Sequence, residues 1–475
     1  MIMAPMTVAV ESVSRPATAM IAERVSIVQN AEDFACRSPA PRSSFSARSP
    51  RSRRCEAGRM DRRKVLMRAF SRNEQIPPLH NARGAVKDGD MSIAELPGGV
   101  PPIVGASTSA TAFIDVFGDG PVGVATRVTS TDEFLRAFGP LDPAIPGGYA
   151  VTQFFANGGE TAWVVRVTAG GHPAPAAAAL AGGLDALRDL DSGSVNLLCV
   201  PAAATLDAPS PDLRTPNHAA FAAAAARFCA DARCFLLLDP PPFLEVADVA
   251  GWLAANDLRH RDSAIHVPRL RIADPDAPGA TLDVGPSGAV AGVISTIDRR
   301  SGVWRAPAGT TAALRGVVDL ASRPLTDTEM SALNALGVNV IRNLPGIGPV
   351  IWGARTLAGD DAQGGEWRYL PVRRTALFIE QSLADGLRRV VFEPNGEPLW
   401  SQVREAVSTF LDELFRSGAL QGARPREGYF VKCGTETTTR ADIDSGVVNL
   451  VVGFAPVRPA EFVTMTIRLR TAEPE

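Results

Sequence analysis

Two segments of this sequence combine residue types and spacings that could do chemistry. The first, Gly285–Gly292, is rich in small residues, and its backbone amides could cradle an anion. We favour a tight turn that leads into a helix of small residues, because Pro286 removes one amide donor. The second contains Glu393 and Glu397, two carboxylates that could act as an acid/base pair. Here we favour a turn followed by a charge at a helix start near Trp400.

The usual signatures of catalysis and cofactor binding are missing from the sequence. It contains no P-loop, no HExxH zinc motif and no GxSxG nucleophile elbow, although a Ser-His-Asp site need not leave such a mark. The five histidines share no spacing and the six cysteines form no CxxC pair, so we expect no metal site. Cysteines in apolar runs, such as Leu198–Val200, favour small buried side chains and a reducing compartment. We therefore expect no catalytic residues and no cofactor.

The composition is that of a globular protein with two or three domains. Hydrophobic residues make up 45% and charged residues 21% of the 475 residues, and the 42 glycines and 38 prolines favour many turns. A formal net charge of −3 argues against a chain built to bind nucleic acid. There is no apolar run of about 20 residues, and residues 1–27 lack the order of a signal peptide, so we expect no membrane insertion.

The first 85 residues differ from the rest of the chain. Between Arg37 and Arg72, about a dozen basic residues stand against two acidic ones, and serine and proline are frequent. Such a composition buries too little apolar surface to fold, so we interpret residues 1–85 as a disordered basic leader. A basic tail could contact nucleic acid or an acidic surface, but we favour an extension without such a role. Two methionines offer alternative starts: Met60 and Met91.

Helical and strand patterns alternate from residue 105 to about residue 320, which is typical of an α/β layer. Apolar runs predict strands, of which the continuously apolar ones suit burial on both faces: Thr111–Phe117, Thr161–Val167, Val195–Pro201 and Cys234–Asp239. Helices are predicted where capping signals or alanine-rich runs occur: Thr129–Phe138, Tyr149–Ala156 and His218–Ala230.

Residues 321–461 are predicted to form a C-terminal domain of mixed sheet and helices. Apolar residues from Trp400 to Leu414 fall on one helical face. Further helices and strands are predicted at Asp327–Ala335, Val338–Arg342, Thr375–Leu387, Arg389–Phe392, Tyr429–Cys433 and Val447–Ala455. Residues 86–104 read as an extended arm rich in proline and glycine. Residues 462–475 read as a strand arm, because Phe462–Arg470 alternates apolar and polar residues.

Ordered stretches between about residues 90 and 470 resemble contractile tail sheath proteins of phages and of phage-like injection systems. The strongest runs from Leu333 through a Gly-Val-Asn strand to the Trp-Gly-Ala-Arg-Thr segment at Trp352–Thr356. Others are Gly105–Ile114, Phe154–Val167, Pro286–Gly292, Arg300–Ala308, Glu366–Tyr369, Val391–Trp400, Phe430–Cys433 and Gly453–Val463. The family's N-terminal Pro-Gly-Val-Tyr is not clear here, and residues 1–80 have no counterpart.

The resemblance implies a sheath-type multi-domain fold, α/β and α+β mixed, whose C-terminal domain faces an inner tube. It implies hexameric rings that stack into a helical sleeve and contract to drive the tube through a target membrane. The implied partners are further copies, the tube protein, and the baseplate and tail terminator proteins, with no small-molecule substrate and no nucleic acid required. The particle would assemble in the bacterial cytoplasm and end as part of a phage tail or a contractile particle.

The resemblance also implies that subunits exchange terminal strands, and extended arms suit such pairing across sheet edges. The residues expected to take part are Ser92, Ile93, Ala94, Glu95, Leu96, Phe462, Val463, Thr464, Met465, Thr466, Ile467, Arg468 and Leu469. For tube contact we select Arg373 and Arg374. They belong to a set of basic residues that also suits a solvated face or intersubunit salt bridges: Arg342, Arg355, Arg368, Arg373 and Arg374.

Two alternative functions stay open on sequence alone. One is an α/β hydrolase or nucleotide-dependent enzyme without a recognisable motif. The other is a nucleic-acid protein, which rests only on the basic leader. The kind of particle also stays open between a phage tail, a bacteriocin and an injection system.

Overall fold

The described part of the chain builds an α/β body and a C-terminal module. The computed structural model describes residues 100–168, 176–275, 277–388 and 393–459, together with the backbone of residues 8–13 and 21–28. The chain divides into two units, residues 1–31 with 100–475 and residues 32–99, and every described residue belongs to the first unit.

Strands and short or medium helices alternate along the described residues. The strands are β1 (Val8–Val13), β2 (Ile21–Val28), β3 (Thr111–Asp115), β4 (Ala125–Val128), β5 (Ala162–Arg166), β6 (Leu197–Cys199), β7 (Phe235–Leu238), β8 (Ser263–Val267), β9 (Leu270–Ala273), β10 (Thr281–Val284), β11 (Asp319–Leu320), β12 (Asn339–Leu344), β13 (Gly348–Ile351), β14 (Tyr429–Cys433) and β15 (Val447–Phe454). The helices are α1 (Thr131–Phe138), α2 (Pro146–Ala156), α3 (Ala177–Arg188), α4 (Pro216–Ala232), α5 (Val249–Asn256), α6 (Ser287–Ser301), α7 (Asp327–Ala335), α8 (Leu370–Gly386), α9 (Glu397–Arg416), α10 (Pro425–Gly428) and α11 (Arg440–Asp444).

An eight-stranded sheet forms the centre of the body, in the order β13-β12-β8-β7-β6-β3-β5-β4. The six inner strands run parallel, and the edge strands β4 and β13 run antiparallel to their neighbours. Alternate residues of one strand enter different cores, since Ile114 packs with α3 and α4 whereas Phe113 packs with α2 and α6. Burial on both faces explains why these strands are continuously apolar in sequence.

Several local predictions agree with the structure for a physical reason. Ser130 caps α1 by accepting a hydrogen bond from the Glu133 amide, and Thr326 and Glu329 form a capping box on α7. Helix α8 begins five residues before the predicted Thr375, because Pro371 suits the first turn of a helix. The predicted strand Arg389–Phe392 lies outside the described residues.

The C-terminal module pairs a four-stranded antiparallel sheet with two long helices. The sheet order is β1-β2-β15-β14. One apolar face of α9, from Trp400 to Leu414, packs with α8 and with β15 in a third core, as the helical spacing predicted. The face of α9 and the strands β14 and β15 were thus predicted from the sequence, whereas β1 and β2 were not.

Two predicted boundaries differ from the structure. The C-terminal domain does not begin at residue 321, because β12 continues the parallel sheet of the body beside β8. The change of module falls instead shortly before α8. Part of the predicted disordered leader is structured, because residues 8–13 and 21–28 form paired strands. The composition that predicted disorder is that of residues 37–72, and the β-branched residues within Ile21–Val28 were overlooked.

The buried histidines are expected to make the fold sensitive to acid. His218 is buried against Trp252 with ring centroids 5.6 Å apart, and burial lowers the pKa of His218 to about 4. The unfolded chain binds this proton near pH 6.5, whereas the native chain stays neutral until about pH 4. The contribution of His218 to stability is therefore complete above pH 6.5 and is lost as the pH falls towards 4. His266, whose pKa burial lowers to about 3, acts in the same direction.

We expect His218→Phe to flatten this acid dependence. Between pH 6 and 4.5, the free energy of unfolding of the variant should fall less steeply than that of the wild type, by about 1.4 kcal/mol per pH unit. Urea unfolding at a series of pH values measures both slopes. Asp115, whose pKa burial raises to about 7, contributes equally to both proteins and cancels in the comparison. Parallel curves would show that His218 is protonated in the native state.

Candidate assembly site

The edge of β15 that faces away from β14 accepts a strand from a remote part of the chain. Strand β2 runs antiparallel to β15 over eight residues, from Val447 opposite Val28 to Phe454 opposite Ile21. Strand β1 then pairs with β2 and forms that border of the sheet. Since the pairing uses backbone hydrogen bonds, the acceptor edge of β15 places little demand on the sequence of the strand that it binds.

Strand β14 forms the other border of the sheet. It pairs with β15 from Tyr429 opposite Phe454 to Cys433 opposite Leu450, and its outer edge has no strand partner among the described residues. Helix α9 supports this pair, because Val403, Val407 and Leu411 pack into the same core as β15. The module therefore presents a sheet held firmly on one face, with two edges that can pair.

The first described residues of the body run along α8, beside the same core. Ile103 is buried there and approaches so closely that a Cβ on Gly386 would lie 2.8 Å from its Cγ1 atom. The Ala106 amide donates a hydrogen bond of 2.9 Å to Ser382 Oγ. The end of the predicted N-terminal arm, at Ile103, and the segment that follows it are thus fixed to the C-terminal module. Both predicted arms therefore adjoin this module in the chain.

The structure buries Arg373 and Arg374, so their predicted contact with a tube is wrong. Arg373 donates to Asp262 at 2.5 Å and to Glu380 at 3.1 Å, and Arg374 forms a two-pronged pair with Asp298. The side chains of both arginines are less than 5% exposed, being 4% and 3%. Asp262 precedes β8 and Asp298 lies on α6, so the two pairs join α8 of the C-terminal module to the body. Their role is to hold the two parts together.

The other arginines of the basic set do not form one patch. Arg355 is buried and donates to the carbonyls of Asn334 and Gly359 and to Asp361. Arg342 lies on β12 over the ring of Trp352. Arg368 pairs with Asp361 as Arg355 does, whereas Arg342 pairs with Asp327, so the set divides between separate ion pairs.

Both segments that could have carried chemistry serve the fold. The amide and hydroxyl of Ser287 donate to the buried Asp239 carboxylate at 2.8 and 2.6 Å, so the start of α6 holds an anion of the chain itself. Glu397 begins α9 and pairs with Arg404 at 2.6 Å. The Asn395 side chain accepts from Trp400 and donates to the Val447 carbonyl, which ties the turn to β15. The structural interpretations are therefore the correct ones.

The remaining predicted site residues, 92–96 and 462–469, lie outside the described residues. Within the part that the structure describes, no group of three His, Cys, Asp or Glu side chains could hold a metal ion. None of the described helices is long and apolar enough to cross a membrane. Sequence reasoning missed β2 as the partner of β15, although its run of β-branched residues was a usable signal.

A mixed α/β body, joined by buried ion pairs to a module with pairing sheet edges, has the features of a structural assembly protein. Two family models match the chain: the phage tail sheath protein central domain over residues 176–357 and the phage tail sheath C-terminal domain over residues 362–470. Together they match more than half of the chain. The chain therefore belongs to the phage tail sheath family, and it is a structural sheath subunit.

Solved sheath structures share this fold. The PVC sheath of an extracellular contractile injection system, in the contracted state, is 26% identical with a TM-score of 0.62, over 82% of this chain and 98% of that chain. The contracted helical sheath of the anti-feeding prophage (AFP) is 28% identical with a TM-score of 0.62, over 82% and 99%. A chain of the AFP baseplate is 28% identical with a TM-score of 0.58, over 83% and 100%. The comparison with curated proteins found no match.

The comparisons confirm the resemblance and the mixed α/β fold that the sequence predicted. They also confirm the function as a structural sheath subunit. The family boundary near residue 360 agrees with the position at which the structure changes from body to C-terminal module.

Proposed function

We propose that this subunit polymerises into a helical sleeve around an inner tube and that the sleeve contracts to drive the tube through a target membrane. The observation that carries the proposal is the likeness to two contracted sheaths along almost their whole length. The partners are then further copies in stacked hexameric rings, the tube protein, and the baseplate and tail terminator proteins. A similar chain in the AFP baseplate supports the baseplate contact. Assembly would take place in the bacterial cytoplasm.

We further propose that neighbouring copies are joined by strand exchange at the C-terminal sheet. The donors are the arms Ser92–Leu96 and Phe462–Leu469, and the acceptors are the edges of β14 and β15. Three observations support this proposal. The β15 edge already accepts an antiparallel strand of eight residues, which is the length of the segment 462–469. The outer edge of β14 has no strand partner among the described residues, and both arms adjoin the module.

Exchange of this kind gives open helical assemblies rather than closed dimers. Each copy donates a strand to one neighbour and accepts a strand from another, so the contact is heterologous. Two copies are then joined by backbone hydrogen bonds between the donated strand and the acceptor sheet. Because an extended arm connects that strand to its own body, the two bodies can move relative to each other while the strand stays paired. Electron microscopy of the purified protein tests the proposal, because a sheath subunit should form rings or tubules.

Strand β2 occupies the β15 edge in the isolated chain, so an arm of another copy can pair there only after β2 has left. We therefore expect deletion of residues 1–31 to lower the protein concentration at which tubules appear, by about tenfold if displacement of β2 costs about 1.4 kcal/mol. Sedimentation of tubules across a concentration series, checked by electron microscopy, measures this threshold.

A point substitution provides the matched control for this deletion. Val25→Pro removes one backbone amide from the strand that pairs with β15 while the chain keeps its length, and it should lower the threshold in the same direction. If deletion of residues 1–31 instead abolishes tubules, the strands β1 and β2 are a permanent part of the sheet and do not compete with the arms.

A further inference from the structure

An open groove of about 510 Å³ lies between α4, the loop Arg259–Asp262 and the segment Ala358–Trp367. We name it the arginine groove. Its size is within the range of about 300–1,000 Å³ that is usual for ligand sites. The wall on α4 consists of residues at helical spacing: Ala223, Ala226, Arg227 and Ala230. Three of these four side chains are small, so an extended chain could approach the helix closely.

The arginine groove carries more positive charge than its own acidic residues neutralise. Arg227 is exposed and makes no ion pair within the described part of the chain. The side chains of Arg259 and Arg261 are 48% and 44% exposed. Arg259 pairs with the buried Asp360, and Asp262 is shared by Arg373 at 2.5 Å and Arg261 at 3.6 Å. Among the described residues, Arg227 therefore has no acidic partner and Arg261 only a shared one, so the groove keeps a positive surplus that suits an acidic segment.

The floor of the groove holds Arg261 in place and connects the groove to the C-terminal sheet. The Cζ atom of Arg261 lies 5.8 Å from the ring centroid of Trp367, and that of the buried Arg373 lies 4.8 Å from it. Trp367 is 8% exposed and belongs to the same hydrophobic core as Leu450 of β15. The groove therefore lies where the body meets the C-terminal module, and Trp367 is its link to the core beneath β15.

The chain itself contains a segment that matches this surplus. Residues 471–475 read Thr-Ala-Glu-Pro-Glu and carry carboxylates at Glu473 and Glu475. They follow the donor segment 462–469 after a single residue, Arg470. Six extended residues span about 20 Å, which is the reach that these carboxylates would have beyond a strand paired with the sheet of a neighbour.

We propose that the arginine groove of one copy binds the acidic segment Glu473–Glu475 of a neighbouring copy, through Arg227 and Arg261. The inference rests on the proposed strand exchange, which delivers the segment. The contact fixes the end of the exchanged arm and thereby the register of the donated strand. Because both arginines are partly exposed, the attraction is screened by salt, and the tubules depend on ionic strength at this contact.

Charge reversal on both sides tests the proposal. We expect the pair Glu473→Lys and Glu475→Lys to raise the threshold concentration for tubules about tenfold at low salt, which corresponds to about 1.4 kcal/mol. The pair Arg227→Glu and Arg261→Glu should raise it equally. All four changes together should restore the threshold to within about twofold, and about 1 M salt should remove the differences, because it screens exposed charges. Circular dichroism and thermal unfolding confirm that each variant is folded.

Arg214→Glu is the matched control, because the Arg214 side chain is 72% exposed and lies outside the groove. It should leave the threshold unchanged. An unchanged threshold in either paired variant, or a quadruple variant that shows no restoration, would overturn the inference. Failure of strand exchange itself gives a different result, since a chain that stops after Glu461 would then form normal tubules.

Discussion

A variant that stops after Glu461 is expected to fold but to form no tubules. It keeps β14, β15 and the whole α/β body, and the described residues of its three cores all precede residue 460. It lacks the donor segment Phe462–Leu469, so each copy can accept a strand but cannot donate this one. Polymerisation then loses about eight residues of backbone pairing at every junction. Thermal unfolding checks the fold, and negative-stain electron microscopy checks the assembly.

A variant that stops after Arg470 is the matched control, because it removes five residues but keeps the donor strand. It should form tubules, at a higher protein concentration than the wild type if the acidic segment binds the arginine groove. Normal tubules from the chain that stops after Glu461 would contradict strand exchange through residues 462–469. Loss of folding in that variant would show instead that these residues complete the sheet of their own subunit.

Replacement of Arg373 by methionine is expected to destabilise the subunit by about 3–5 kcal/mol. The change leaves Asp262 and Glu380 buried without their main cation, and each side chain is only 6% exposed. Unpaired carboxylates at such a site cost far more than the lost packing of one arginine. Urea unfolding followed by tryptophan fluorescence measures the loss, since Trp367 lies directly beside Arg373.

Arg299→Met is the control for this substitution. Arg299 pairs with Glu160, but the two side chains are 46% and 66% exposed, so the expected loss is below about 1 kcal/mol. Adding Asp262→Asn and Glu380→Gln to Arg373→Met should recover part of the stability, because the buried charges are then gone. A loss below about 1 kcal/mol for Arg373→Met alone would mean that water reaches the pair and that the body and the C-terminal module are not joined there.

The helices and strands that the sequence predicted well are those whose pattern is local. The face from Trp400 to Leu414 on α9 and the capping box at Thr326 each need only residues within a few turns. The apolar runs of β6 and β7 also report burial on both faces without knowledge of the neighbouring strands. Such features follow from backbone geometry and side-chain periodicity, so one sequence is enough to find them.

The charged residues show the limit of this reasoning. Arg373 and Arg374 have the composition of an exposed basic patch, and only the packing of α8 against the body brings Asp262 and Asp298 to them. A charge in a sequence does not reveal its partner when that partner lies more than seventy residues away. The same limit hid the boundary near residue 360, because the parallel pairing of β12 with β8 joins segments separated by three short strands and two helices.

By itself, the sequence determined the mixed α/β class, the sheath family, and the main helices and strands of the C-terminal module. These follow from periodicity, from capping signals and from motifs that lie along the chain in order. Only the tertiary structure decided that the basic pair is buried, that Ser287 binds Asp239, and that β2 lies on the edge of β15. Each of these depends on contacts between remote segments, which meet only when burial of the apolar cores folds the chain.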